Sequence, residues 1–181
     1  MLPLKIPSFE YYDEKEQRFG KTKDTTLFLE HSLISIAKWE SKWNIPFIGT
    51  SDKTVEQCID YVRCMTTNSG VDPVVYYGLT TGMFEEVDEY INQSMTAAWF
   101  TDKETTKKGS REAVTADLIY YWMVALRIPF ECEKWHLNRL LTLIRICNIK
   151  NAPDKKMSRQ EILERNRALN AARKAKARSK G

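Results

Sequence analysis

Two runs of helically spaced apolar residues, one on each side of Pro129, constrain this chain more than any other feature. From Ser110 to Asn148 it reads SREAVTADLIYYWMVALRIPFECEKWHLNRLLTLIRICN. In the first half Val114, Leu118, Tyr121, Trp122 and Ala125 recur at steps of three and four, the spacing that stacks side chains on one face of a helix. In the second half Trp135, Leu137, Leu140, Leu141, Ile144 and Cys147 repeat the pattern. Pro129 has no N–H for a continuous helix and turns Ile128 away from helical angles, so the stretch predicts two helices joined at a sharp break. Tyr120, Tyr121, Trp122, Met123 and Trp135 make that joint apolar on more than one side, as expected of helices surrounded by others. A chain of 181 residues that is 43% hydrophobic is long enough to bury such a core in one domain.

The remaining elements follow in chain order. Leu4, Ile6, Phe9 and Tyr11-Tyr12, then a charged break at 13–16, then Arg18-Phe19-Gly20, predict two short strands in a hairpin, with Pro3 and Pro7 confining the first to an edge. Asp24 as N-cap opens a long amphipathic helix through Leu29, Leu33, Ile36, Ala37 and Trp43, ending before Pro46. Thr54-Val55-Glu56-Gln57 has the form of a capping box and starts a helix that turns Val55, Cys58, Ile59, Val62 and Met65 inward. Asp72-Pro73 opens a short helix closed by Gly78, and Thr81 to Tyr90 reads as another, acidic near its start at Glu85 and Glu86. Met95 to Phe100 reads as a brief extended piece and 101–109 as a polar loop. After Asn148 the stretch KNAPDKKM is a linker. Ser158-Arg159-Gln160-Glu161 is a second capping box, heading a helix whose apolar residues, Ile162, Leu163 and Leu169, are too few to bury a face. The expected architecture is therefore mostly α. A single multi-helix domain with a small N-terminal β-hairpin spans 1–149, and a linker with a projecting basic C-terminal helix spans 150–181.

Charge divides the chain at the same place. Residues 150–181 carry eleven Lys and Arg against three acids, leaving 1–149 net acidic within a total of +4. Three readings of the tail compete: phosphate neutralisation, a segment that orders on an acidic protein, and a solubilising end. No Tyr, Phe or Trp follows Trp135, so the tail cannot stack on bases, and nucleic acid is disfavoured as a partner. Arg159, Arg165, Arg167, Arg173, Lys174 and Lys176 are its candidate partner-binding residues. Trp39 and Trp43 join them as candidate interface anchors, balanced against a place in the core, where Trp122 and Trp135 are expected.

Reactive chemistry finds little footing. The seven glycines form no phosphate loop, and no GxSxG, HExxH or CxxC is present. Cys132 and His136, at i and i+4, would share a helical face as zinc ligands, joined by Cys58 and Cys64, but ligand sets without motif spacing are usually core. His31 with Glu30, or His136 with Glu133, would make an acid–base pair with no nucleophile at a strained turn. The expectation is no enzyme, no catalytic residue, no cofactor and no metal. The four cysteines are read as buried thiols in a reducing cytosol, since no hydrophobic leader precedes them, and no apolar run approaches the roughly 18 residues of a membrane span.

At LEHSLISIAKWESKW (Leu29 to Trp43), LIYYWMVALRIPFECEKWHLNRLLTLIRICN (Leu118 to Asn148) and MSRQEILERNRALNAARKAKA (Met157 to Ala177) the chain resembles a family of small proteins encoded by long-tailed (siphovirus) bacteriophages, the tail assembly chaperones that accompany the tape-measure protein. The resemblance covers most of the chain and brings no catalytic residues with it. It implies a helper in the host cell cytoplasm, outside the virion, that binds the tape-measure protein, keeps its long helices in solution and helps recruit tail-tube subunits. A homo-oligomer stays open. The alternatives are a structural or connector protein of the virion head–tail junction and a basic-tailed nucleic-acid-binding accessory protein.

Overall fold

The computed structural model describes residues 1–14, 16–98, 113–152 and 159–178. The chain divides into two units, Met1–Asn148 and Ile149–Gly181. The fold is mostly helical with a small β component. The polar loop at 101–109, Trp99 and Phe100, the linker from Pro153 to Met157, and Ser158 of the second capping box lie outside the described residues, as does the side chain of Arg159. Of the extended piece expected at Met95, the described part, Met95–Ala98, forms no strand.

Among the described residues the β component comprises two antiparallel pairs. β2 (Glu10–Asp13) pairs with β3 (Arg18–Lys21), placing Tyr12 opposite Phe19. The ring of Tyr11 lies over Gly20, where a Cβ would come within 2.6 Å of it, so any other residue there displaces the ring. Leu4 and Ile6, assigned from sequence to that hairpin, sit instead in β1 (Leu2–Ile6), which pairs with β4 (Thr25–Leu29). This corrects the expected first helix, which does not begin at Asp24. Two β-branched threonines and the alternation of buried Leu27 and Leu29 about exposed Phe28 suit a strand with one face covered. Asp24 accepts the Ser8 N–H at 2.7 Å, a bond that holds its carboxyl below the usual range.

The helix begins after Ser32, whose Oγ accepts the Ser35 N–H at 3.3 Å, and α1 runs Leu33–Trp43 until Asn44 closes it in the left-handed region at φ 53°. α1 touches α2, α4 and the 3-10 turn at Phe130–Lys134, so the hub of the first unit is α1, not the stretch around Pro129. Leu33, Ile36 and Trp39 are fully buried in it. Glu40 ties two neighbours to this hub: one carboxylate oxygen accepts from Phe47 N and the other from Ala116 N, both at 2.8 Å.

α2 (Val55–Met65) carries the capping box read from sequence, with Thr54 and Gln57 bonding reciprocally at 2.9 and 3.3 Å. Of its expected inward face, Val62 and Met65 are buried, with Tyr61 joining them, whereas Val55 is 72% exposed. The chain after α2 continues along β4, through Glu30 N–H to Met65 O and Thr67 N–H to Phe28 O. A 3-10 turn at Pro73–Gly78, capped by Asp72, leads to α3 (Thr81–Asn92).

Around Pro129 the expected break is present as a 3-10 turn between α4 (Ala116–Ala125) and α5 (Leu137–Asn151). The buried face of α4 is Ala116, Ile119 and Met123; Tyr121, assigned inward from sequence, is 65% exposed. α5 buries Leu137, Leu140 and Ile144 as expected and continues past Asn148. Trp122 and Trp135 pack half-buried against the core, the latter under the Arg139 guanidinium at 4.0 Å from its ring. In the second unit α6 spans Arg159–Arg178, and all of its described side chains are exposed.

Candidate functional site

The candidate interface residues fall into two groups with different fates. Trp39 is 0% exposed; its indole N–H donates to Gln57 O at 2.9 Å and its ring meets Phe47 edge-on at 5.2 Å, so it is a core residue with no surface to offer. Trp43 is half-buried, donating to Asp60 Oδ2 at 3.0 Å, while Lys42 reaches Asp60 Oδ1 at 2.5 Å. Buried Asp60 is thus satisfied from two sides. Arg165, Arg167, Arg173, Lys174 and Lys176 are exposed on α6.

The two histidines, far apart in sequence, lie together in the core. Their rings meet edge to face at 5.1 Å. His31 Nδ1 is 2.5 Å from the Tyr61 hydroxyl. His136 uses Nε2–H toward Tyr90 O at 3.1 Å and accepts the Asn138 N–H on Nδ1 at 3.3 Å. Burial favours the neutral imidazole, lowering His31 to about 3 and lowering His136 as well. Neither ring reaches the glutamate beside it in sequence: Glu30 accepts from Tyr90 OH at 2.7 Å, and Glu133 from Tyr120 OH at 2.8 Å. Burial and these carboxylate partners push both phenols up. With Leu137 N–H donating to His31 O at 2.7 Å, the cluster pins the start of α5 to the segment entering α1. Its hydrogen bonds tie the segment entering α1 to α2 and α5, and the start of α5 to α3.

The zinc geometry drawn from Cys132 and His136 does not form, because Cys132 lies in the 3-10 turn and His136 precedes α5, so they share no helical face. Among the described residues no group of three or more His, Cys, Asp or Glu is placed to hold a metal ion. No described helix is long and apolar enough to cross a membrane.

The feature best placed to receive a partner is a groove of about 480 Å³ between α2 and α3, lined also by Phe47 and Lys53 from the preceding loop. Val55 and Cys58 on one wall face Phe84, Val87 and Ile91 on the other. Lys53 donates to Thr50 O and lies 4.4 Å from the Phe47 ring; burial lowers its ammonium pKa. Burial likewise raises the Cys58 thiol, which keeps it protonated and a poor nucleophile. What this surface can do is bind apolar side chains. Glu85 and Asp88 stand along its α3 edge. Sequence reading assigned Val55 to the core and so missed the groove. The available signals were an apolar residue opening a capped helix and a run of acids in α3 with no base among them. No known protein family, curated protein or solved structure matches this chain.

Proposed function

We propose that this protein is a tail assembly chaperone of a long-tailed bacteriophage, a non-catalytic binder in the host cytoplasm that holds helical segments of a tape-measure protein and helps recruit tail-tube subunits. The observation that supports this reading is the apolar groove between α2 and α3. A long helical client kept from its final assembly exposes an apolar stripe, and a groove between two helices receives such a stripe through anchors at i, i+3, i+4 and i+7. The groove volume of about 480 Å³ lies within the range of ligand-binding pockets, and Val55, which lines it and is 72% exposed, offers apolar contact before any rearrangement.

The test is co-expression with a tape-measure protein, reading how much client stays in the soluble fraction. The wild-type chain keeps the client soluble; Val55→Asp, which alters an exposed position, lowers soluble client several-fold and leaves the thermal midpoint within a few degrees. A client equally insoluble with and without the wild-type chain overturns the proposal. Mass spectrometry of purified particles addresses the connector alternative, since a chaperone is missing from them and a connector is present in fixed copy number.

A further inference from the structure

We infer that the helix this groove receives is cationic along the edge that meets α3, and that Glu85, Asp88 and Glu89 select it. The inference rests on the groove-binding reading above and adds the chemistry of the partner. The apolar walls accept any amphipathic helix, so discrimination must come from the rim. α3 places Glu85, Glu86, Asp88 and Glu89 within two turns and contains no basic residue. All four are exposed, and no ion pair with a described residue holds any of them.

Glu85, Asp88 and Glu89 occupy positions i, i+3 and i+4, so they share one side of the helix. Glu85 and Asp88 line the groove, and with Glu89, Asn92 and Gln93 they also form the shallow concavity beside it. Like charges at this spacing repel one another along α3, and a cation laid against them relieves that repulsion. Lys53 does not supply that cation: although close enough to Asp88 for their charges to interact, it donates to Thr50 O and lies over the Phe47 ring.

The partner that fits is a helix of about three turns, matching the 12 residues of α3, with leucine-like anchors in the groove and Lys or Arg flanking them on the α3 side. An anionic helix of equal hydrophobicity meets three exposed carboxylates and is rejected.

The experiment uses the full chain and two labelled helical peptides with the same leucine stripe, one flanked by lysine and the other by glutamate, read by fluorescence anisotropy. The lysine peptide binds at least tenfold more tightly at low salt, and the gap narrows as salt screens the rim. A Glu85→Lys, Asp88→Lys double variant reverses the preference, and Glu85→Gln, Asp88→Asn abolishes it, with thermal unfolding checking that both variants fold. If the two peptides bind equally and both variants leave that unchanged, the charge inference falls while the groove reading stands. If neither peptide binds, or Val55→Asp leaves binding untouched, the groove is not the docking site and both readings fall. If a peptide of residues 159–178 binds more tightly than the lysine peptide and the intact chain self-associates, the occupant is a second copy and the partner named here is wrong.

Discussion

α1 and α6 are both helices, and they are held in opposite ways. α1 has 11 residues, a serine cap, a left-handed C-cap and four buried side chains including Trp39. α6 has 20 residues, seven Lys and Arg, and no described side chain that is not exposed. The first is a modest helix former stabilised by burial, since tertiary contact supplies most helical stability in folded proteins. The second is rich in Ala, Arg and Lys, which favour the helix without any burial. Length and propensity therefore say little about whether a helix contributes to a core; the number of apolar residues on one face says more. Ile162, Leu163 and Leu169 remain 45–50% exposed.

The comparison is sharpened most by removing the largest buried side chain of α1. Trp39→Ala deletes a fully buried ring together with its hydrogen bond to Gln57 O, so it should destabilise the first unit by about 3–5 kcal/mol in a denaturant titration. Leu163→Ala on α6 should stay within about 0.5 kcal/mol. Similar costs at the two positions would show that α6 is packed and that the contrast is false.

Acid should act next most strongly, and again through the first unit. His31 has a folded pKa of about 3 against about 6.5 when unfolded, because burial penalises its charged form. Below about pH 6.5 the unfolded chain takes a proton that the folded chain refuses, so stability present at neutral pH is lost as pH falls toward 3. The slope should approach about 1.4 kcal/mol per pH unit. His136 shifts in the same direction and steepens the loss. Denaturant titrations at pH 7.5, 6 and 5 should show it, and His31→Gln should flatten it. A constant stability across that range would mean that His31 is not buried as a neutral group. Both histidines of the chain lie in the first unit, so α6 should keep its helical signal through the same window.

How much of this was legible in the sequence depends on whether the signal was local. The Thr54–Gln57 box, the Asp72-Pro73 cap and the break at Pro129 were read correctly because each is decided by a few adjacent residues. β4 was not, because Leu29, Leu33 and Ile36 also fit a helical period. The strand is chosen by its distant partner β1 and by the chain after α2 on its other edge. Trp39 and Trp43 could not be separated by spacing alone; what separates them is Phe47 and Gln57 closing over Trp39. The histidine pair and the groove were invisible for the same reason, each being assembled from a loop or strand end and two helices that no short pattern connects. The charge run in α6 was visible because composition needs no partner.

The smallest expected effect is on the side of α6. Truncation after Met157 removes a helix with no buried residue among its described side chains, while the buried residues of α1, α2 and α5 stay in place. Ordering α6 costs roughly 1–2 kcal/mol per residue in backbone entropy, against which its hydrogen bonds and helix propensity act. The denaturation midpoint of the truncated chain should therefore stay within about 0.5 kcal/mol of the full chain, and far-ultraviolet circular dichroism should fall by the signal of one 20-residue helix. The same truncated chain, co-expressed with a tape-measure protein, asks what the basic end does. Reduced client solubility at unchanged stability assigns the tail a part in capture through charge, and added salt should weaken the full chain toward the truncated one. Equal client solubility makes α6 a solubilising end. Loss of folding would remove the distinction between the two helices altogether, because it would require α6 to be held by contacts of the kind that hold α1.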